Sequence, residues 1–147
     1  MTIRAARPAD APRLEAIARA AYAKYFSRIG REPAPVSADY AAAIAAGRTI
    51  VISCGPDLAG FLIGHRDGDG YFIENIAVDQ AFQGRGLGGT LLRHAIAEAR
   101  RLKLSTLQLF TNAAMTENLA LYAHLGFVET RRAVEHGYDR VYMRLSP

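Results

Sequence analysis

Gln83-Gly84-Arg85-Gly86-Leu87-Gly88-Gly89-Thr90 sets four glycines within six positions, directly ahead of a helical pattern. Glycine has no Cβ, so the backbone of such a turn lies open and its N–H groups approach a ligand closely. The pattern that follows, Thr90 to Leu102, gathers Leu91, Leu92, Ala95, Ile96 and Ala99 on one face. A helix N-terminus carries unpaired N–H donors and partial positive charge, and a glycine-rich turn that opens one binds phosphate. Arg85 adds a full positive charge. A merely flexible surface loop has no need to end where an amphipathic helix begins.

The rest of the chain reads as short alternating elements. Thr2 to Ala6 is an opening strand, and Asp10 is placed to cap a helix with Pro12 in its first turn. Leu14, Ile17, Ala18, Ala21, Tyr22 and Tyr25 form that helix's apolar face, and Gly30 to Pro35 breaks the pattern. Ser37 is placed to cap a second, shorter helix over Asp39 to Ala46, which Gly47 ends. Thr49 to Cys54 and Leu58 to Arg66 are strands joined by Gly55-Pro56-Asp57. Asp67 to Gly70 turns into a third strand, Tyr71 to Val78. Beyond the glycine turn and its helix come a strand at Ser105 to Phe110 and a helix capped by Thr116 and ended by Gly126. A closing hairpin, Phe127 to Ala133 and Tyr138 to Leu145, folds over Glu135-His136-Gly137. The order is β-α-α-β-β-β-α-β-α-β-β, one mixed α/β domain over residues 1–147. The strand, helix and strand from Tyr71 to Phe110 imply one parallel pair in a largely antiparallel sheet.

Composition narrows the function. The 147 residues suffice for one core, and the apolar runs are strand-sized, short of the roughly 20 residues a membrane span needs. The N-terminus shows no apolar leader, so the expected compartment is the cytoplasm, with no membrane partner. The single cysteine, Cys54, excludes an internal disulfide and reads as a small buried apolar residue. His65, His94, His124 and His136 show no metal-ligand spacing, so no metal is expected, and His94 and His124 read as solvent-facing on their helices. The net charge is +4, but the arginines are scattered and only Arg100-Arg101 and Arg131-Arg132 are adjacent. That distribution argues against nucleic acid and suits a mild field attracting an anionic ligand.

Three phosphate signatures compete for the turn. Gly84-x-Gly86-x-x-Gly89 matches the dinucleotide fingerprint, but Asp79 to Gln83 intervenes after the strand. The next strand, Leu107 to Phe110, carries no acid and runs on into Thr111-Asn112. A nucleoside-triphosphate loop fails for want of a lysine between Gly89 and Thr90. Gln83-x-x-Gly86-x-Gly88 resembles the pyrophosphate signature of the GNAT superfamily of N-acetyltransferases. The strand Ile73-Glu74-Asn75-Ile76-Ala77-Val78-Asp79 is similar to that family's central strand. Glu117 to Phe127, with Asn118, Tyr122 and the final Gly126-Phe127, resembles its second signature. The element order agrees over essentially the whole chain.

The resemblance implies a single α/β (α+β) GNAT-like domain, a mixed sheet of about six to seven strands flanked by helices, with a splayed strand pair holding CoA. It implies acetyl-CoA as co-substrate. Ile76, Ala77 and Val78 would offer backbone to the pantetheine and Asn118 would reach it. Gln83, Gly84, Arg85, Gly86, Leu87, Gly88, Gly89 and Thr90 would hold the pyrophosphate. The implied reaction moves an acetyl group to a primary amine by direct attack through a tetrahedral intermediate. The acceptor is a small-molecule or peptide amine, and family members often form homodimers. A non-catalytic acyl-CoA sensor and a protein lysine or N-terminal acetyltransferase stay open as alternatives.

The chemistry needs a neutral amine, although a lysine-like amine has a pKa of about 10.4. It also needs a donor for the oxyanion and a proton for the departing thiolate. Tyr122 is the candidate acid, since an ordinary tyrosine, pKa about 10, stays protonated at neutral pH; its helical spacing with Leu119 and Leu125 also suits a core aromatic. Glu74 is the candidate base, through a water, because an acid buried in an apolar strand has a raised pKa. It is equally readable as a structural carboxylate or an amine anchor, with His65 as a rival base. The oxyanion donor falls to a backbone N–H near Ile76 or Ala77. Tyr22, Tyr25, Phe26, Arg28, Arg31, Tyr40, His136 and Tyr138 are placed to shape the acceptor side, each with packing or solvated surface as its default reading.

Overall fold

Short strands punctuated by glycine turns assemble into a seven-stranded mixed sheet flanked by helices. The computed structural model describes residues 1–25, 30 and 38–147. The strands are β1 (Thr2–Ala5), β2 (Thr49–Cys54), β3 (Asp57–Asp67), β4 (Gly70–Val78), β5 (Thr106–Asn112), β6 (Val128–Glu135) and β7 (Tyr138–Leu145), ordered β1-β2-β3-β4-β5-β7-β6. The helices are α1 (Ala11–Tyr22), α2 (Tyr40–Ala45), α3 (Leu87–Arg101) and α4 (Thr116–His124). The expected parallel pair is β4 with β5, laddered from Gly70↔Thr106 to Ile73↔Leu109. The β1–β2, β2–β3, β5–β7 and β6–β7 pairs are antiparallel. Most strand ends differ from the sequence reading by a residue or two, as fraying ends do.

The chain forms two compact units. The first holds Met1–Gly64 and Asn75–Leu92. Its core takes Leu14, Ile17 and Ala18 from α1, Tyr40, Ala43 and Ile44 from α2, and Val51, Ile52, Phe61 and Leu62 from the strands. The Tyr40 ring meets Phe61 edge-on at 5.4 Å. Asp39 caps α2 by accepting the Ala42 N–H at 3.0 Å, while Ser37, the expected cap, lies outside the described residues. Gly47, at φ 71°, ends α2 as expected; its N–H donates to Ile44 and that of Arg48 to Ala43. Asp10 does not cap α1. It turns back instead, accepting from the Arg7 N–H and from Arg4, whose hydrogen bond holds its carboxyl below the usual carboxylate range. Cys54 is half-buried at the end of β2, paired with Asp57, rather than a core residue.

The second unit holds His65–Glu74 and Arg93–Pro147. Leu107 and Leu109 of β5, Val141 and Met143 of β7, Ala95, Ile96 and Ala99 of α3, and Tyr122 of α4 are among its buried side chains. β6 and β7 close over two residues only, His136 and Gly137, at φ 53° and 79°. That is the pairing of positive angles a tight hairpin favours, so β6 runs on to Glu135 instead of stopping at Ala133. α4 begins at Thr116 itself; Met115 precedes it with no side-chain cap, so Thr116 is not the cap that the sequence suggested. Among the described residues, no helix is long and apolar enough to cross a membrane.

Gly60 of β3 comes close to the backbone of β4. A Cβ there would stand 2.8 Å from the Ala77 carbonyl oxygen and 3.3 Å from Ile52 Cγ2. Gly60→Ala is therefore expected to lose about 1–3 kcal/mol of unfolding free energy, as overpacking does. Urea denaturation measures the loss, and an unaffected variant would contradict the backbone clash.

Candidate functional site

In the first unit, the entry to the glycine turn is pinned before any glycine is reached. Asp79 accepts the Ala81 N–H at 3.0 Å, capping a 3-10 turn over Gln80–Phe82, and forms an ion pair with Arg13. Gln80 donates to the Ala20 carbonyl of α1 at 2.8 Å, and Gln83 Nε2 reaches back to the Val78 carbonyl at 3.2 Å. Gly84 and Gly86 then take φ angles of 83° and 75°, which side chains disfavour.

The helix starts earlier than its apolar pattern suggests. α3 begins at Leu87, so Gly88 and Gly89 are its first turn rather than part of the loop. Glycine discourages helix, but burial of Leu87, 4% exposed, holds this turn in place. The first helical bond runs from the Thr90 N–H to the Gly86 carbonyl at 3.0 Å, and the Thr90 hydroxyl donates to the same oxygen. The N–H groups of Leu87, Gly88 and Gly89 therefore precede the intrahelical ladder. A Cβ on Gly84 or Gly86 would meet nothing within 4 Å. Arg85 is exposed, its guanidinium 5.2 Å from the centre of the Phe82 ring. This set of uncharged donors plus one arginine fits a phosphate.

The backbone of β4 divides the three residues expected along a pantetheine. The Asp79 N–H donates to Ala59 of β3, and the Ala77 carbonyl stands against Gly60 of β3. Peptide groups alternate sides along a strand, so Ala77 faces β3 while Ile76 and Val78 present N–H and C=O to the opposite edge. Side chains meet both of those carbonyls: Tyr22 donates to Ile76 at 2.9 Å and Gln83 to Val78.

In the second unit, Glu74 lies 31% exposed on the half-open face of β4, not buried as the apolar strand suggested. Its Oε2 is 3.1 Å from His65 Nδ1. Alternation explains the difference, since Ile73 takes the buried side and Glu74 the other. The structure thus joins the candidate base to its rival. The His65 ring continues into a row of half-buried rings, Phe72, Phe110 and Tyr142, each 5.4–5.8 Å from the last. Arg140 lies over Phe110 at 4.2 Å and Arg131 over Tyr142 at 3.8 Å. Glu135 accepts from the Tyr142 hydroxyl and from Arg140, and the tyrosine bond holds its carboxyl low. Sequence reasoning missed this row; its signal is one outward aromatic on each of β4, β5 and β7, Phe72, Phe110 and Tyr142.

Tyr122 and Asn118 sit one turn apart on α4. Tyr122 is 4% exposed, its ring 5.9 Å from Phe127. The end of α4 makes that contact: Gly126 at φ 106° donates to Ala123, and the Phe127 N–H returns to the Tyr122 carbonyl. This double closure always brings the residue after the glycine back onto the helix's last turn. The half-buried Asn118 amide lies 3.7 Å from Met115 Sδ. His94 and His124 are solvent-exposed, as expected, and Tyr22, Tyr25 and Tyr40 are buried packing residues. Phe26, Arg28 and Arg31 lie outside the described residues. Among the described residues no group of three His, Cys, Asp or Glu side chains could hold a metal.

Residues 14–127 match the acetyltransferase (GNAT) family. A ribosomal protein alanine N-acetyltransferase of Escherichia coli is 46% identical over 55 residues, and its Salmonella typhimurium counterpart is 49% identical over 55 residues. In both cases the aligned stretch spans 37% of this chain and only 37% of the relative's own length. A solved E. coli ribosomal-protein-alanine N-acetyltransferase superposes with a TM-score of 0.76 at 26% identity, over 99% of this chain and 92% of that one. The PaiA N-acetyltransferase of Thermoplasma acidophilum, in complex with coenzyme A, reaches 0.83 at 16% identity over 99% and 98%, a likeness of fold alone.

Gly86→Ala tests the turn. With open space around it, only the left-handed backbone resists a methyl, so a loss of about 1–2 kcal/mol is expected. Gly86→Asn, which tolerates that conformation better, is expected to lose less. Thermal melts of both variants decide it, and an unaffected alanine variant would mean that the turn is not held at φ 75°.

Proposed function

The chain belongs to the GNAT acetyltransferase family, and from that premise we propose that residues 1–147 work as one acetyl-CoA-dependent N-acetyltransferase acting on a primary amine. The observation that carries the reading is the glycine turn opening α3, with the Leu87, Gly88 and Gly89 N–H groups ahead of the helical ladder. These groups, with Arg85, would hold the pyrophosphate; Gln83 and Gly84 shape the approach, and Thr90 closes the first turn. Ile76 and Val78 would pair with the pantetheine, Asn118 would reach it, and Ala77 would hold β4 against β3. The cofactor supplies an activated acetyl thioester.

Within this reading the Ile76 N–H faces the edge where the thioester oxygen gains charge. Glu74 takes the proton from the attacking amine through a water and passes it to His65, whose ring is 39% exposed and open to solvent. Tyr122 returns a proton to the thiolate, so the proton count closes: one leaves the amine and one reaches the sulfur. The relatives are named for an alanine of a ribosomal protein, and that favours a protein or peptide α-amine as the acceptor over a small polyamine or an antibiotic.

The purified protein with acetyl-CoA and an amine panel, N-terminal alanine peptides included, is expected to release free thiol with the peptides. Tyr122→Phe should lower kcat about 100-fold or more, in the range of a lost general acid, while acetyl-CoA binding by calorimetry persists. Glu74→Gln should also lower kcat, less steeply if a water reaches His65 directly. Binding without turnover for any amine would instead favour an acyl-CoA sensor, and no acetyl-CoA binding at all would end the proposal.

A further inference from the structure

Tyr22, Asn75 and Tyr40 form a buried polar chain in the first unit that the reaction above leaves unused. They are 6%, 7% and 4% exposed. Asn75 is an amide on the buried face of β4, a costly placement unless both its ends are paired. Its Nδ2 donates to the Tyr40 hydroxyl at 3.0 Å. Burial pushes the Tyr40 pKa up to about 12, so that hydroxyl stays neutral and able to accept. This bond turns Asn75 Oδ1 toward Tyr22, whose hydroxyl stands 3.0 Å from it and 2.9 Å from the Ile76 carbonyl oxygen. The one Tyr22 hydroxyl hydrogen is shared between these two oxygens, so Tyr22 bridges the Ile76 carbonyl and the side chain that precedes it. The N–H and C=O of one strand residue point the same way, so fixing the carbonyl also aims the Ile76 N–H.

We infer that Tyr22 is a positioning residue for the acetyl transfer, holding Ile76 so that its N–H is preset for the thioester oxygen. Asn75 and Tyr40 set Tyr22 in turn. The inference rests on the acetyltransferase reading. A preset donor matters most where charge develops, so its misalignment weakens the transition state more than the bound ground state.

The test is Tyr22→Phe, which removes the hydroxyl but keeps the ring that packs 6.5 Å from Tyr25. A fall in kcat of about 10-fold is expected, a fraction of the 100-fold or more that loss of a whole oxyanion donor brings. The acetyl-CoA Kd and KM should stay within about twofold, since uniform binding is untouched. Tyr40→Phe, one link further out, should show the same split with a smaller fall in kcat, and it carries the test if Tyr22→Phe folds poorly. Amide exchange at Ile76, read by NMR in the free protein, should quicken in both variants. An unchanged kcat, or a fall matched by an equal rise in Kd, overturns the inference and leaves the acetyltransferase reading standing. A wild-type protein that binds no acetyl-CoA and turns over no amine overturns both.

Discussion

The approach of β3 to β4 at Gly60 decides which way the peptide groups of β4 face. With the Ala77 carbonyl against that glycine and the Asp79 N–H on Ala59, the odd-numbered residues of this stretch spend their hydrogen bonds on β3. Ile76 and Val78 are left with polar groups on the other edge, and buried backbone groups need partners. Two side chains meet the carbonyls, Tyr22 from the end of α1 and Gln83 from the start of the glycine turn. The glutamine that opens the phosphate signature therefore has a structural task of its own. It ties the turn to the strand before it, so the turn and the edge it serves are set together.

Helix ends supply the rest of the precision. α2 stops at Gly47 and α4 at Gly126 through the same pair of returning bonds, and at α4 this seats Phe127 against Tyr122. The end of α3 repeats the pattern with Lys103 at φ 57°, a lysine in a conformation that costs it energy. The start of α3 works in the opposite sense: the Leu87, Gly88 and Gly89 N–H groups precede the intrahelical ladder, as suits an anion.

How much of this was legible depended on whether backbone or side chains do the work. The turn showed in the sequence because glycine is the absence of a side chain, and Gly126-Phe127 showed because a left-handed helix end nearly requires glycine. The parallel β4–β5 pair followed from element order. The start of α3 did not, because glycine propensity argues against helix at Gly88 and Gly89 while burial of Leu87, a tertiary fact, argues for it. The cap of α1 failed for a similar reason: Asp10 has a better partner in Arg4, brought near by the strand and turn before it. Glu74 was read as buried because the strand is apolar overall, yet alternation gives such a strand one half-open face, and that face is where Glu74 meets His65.

Asn75 shows why a polar residue on a buried strand face repays attention. Burying an amide is costly, and here both its ends are hydrogen-bonded, which offsets that cost. Its two ends join a tyrosine from α1 to one from α2, and each of those rings is already fixed by apolar contact. Apolar packing alone locates a ring but leaves its neighbours' peptide planes free to rock; a directed hydrogen bond removes that freedom. The chain from Tyr40 through Asn75 to Tyr22 thus converts the rigidity of a hydrophobic core into the orientation of one peptide group. In a protein whose candidate chemistry depends on backbone donors, that orientation is what side chains have left to tune.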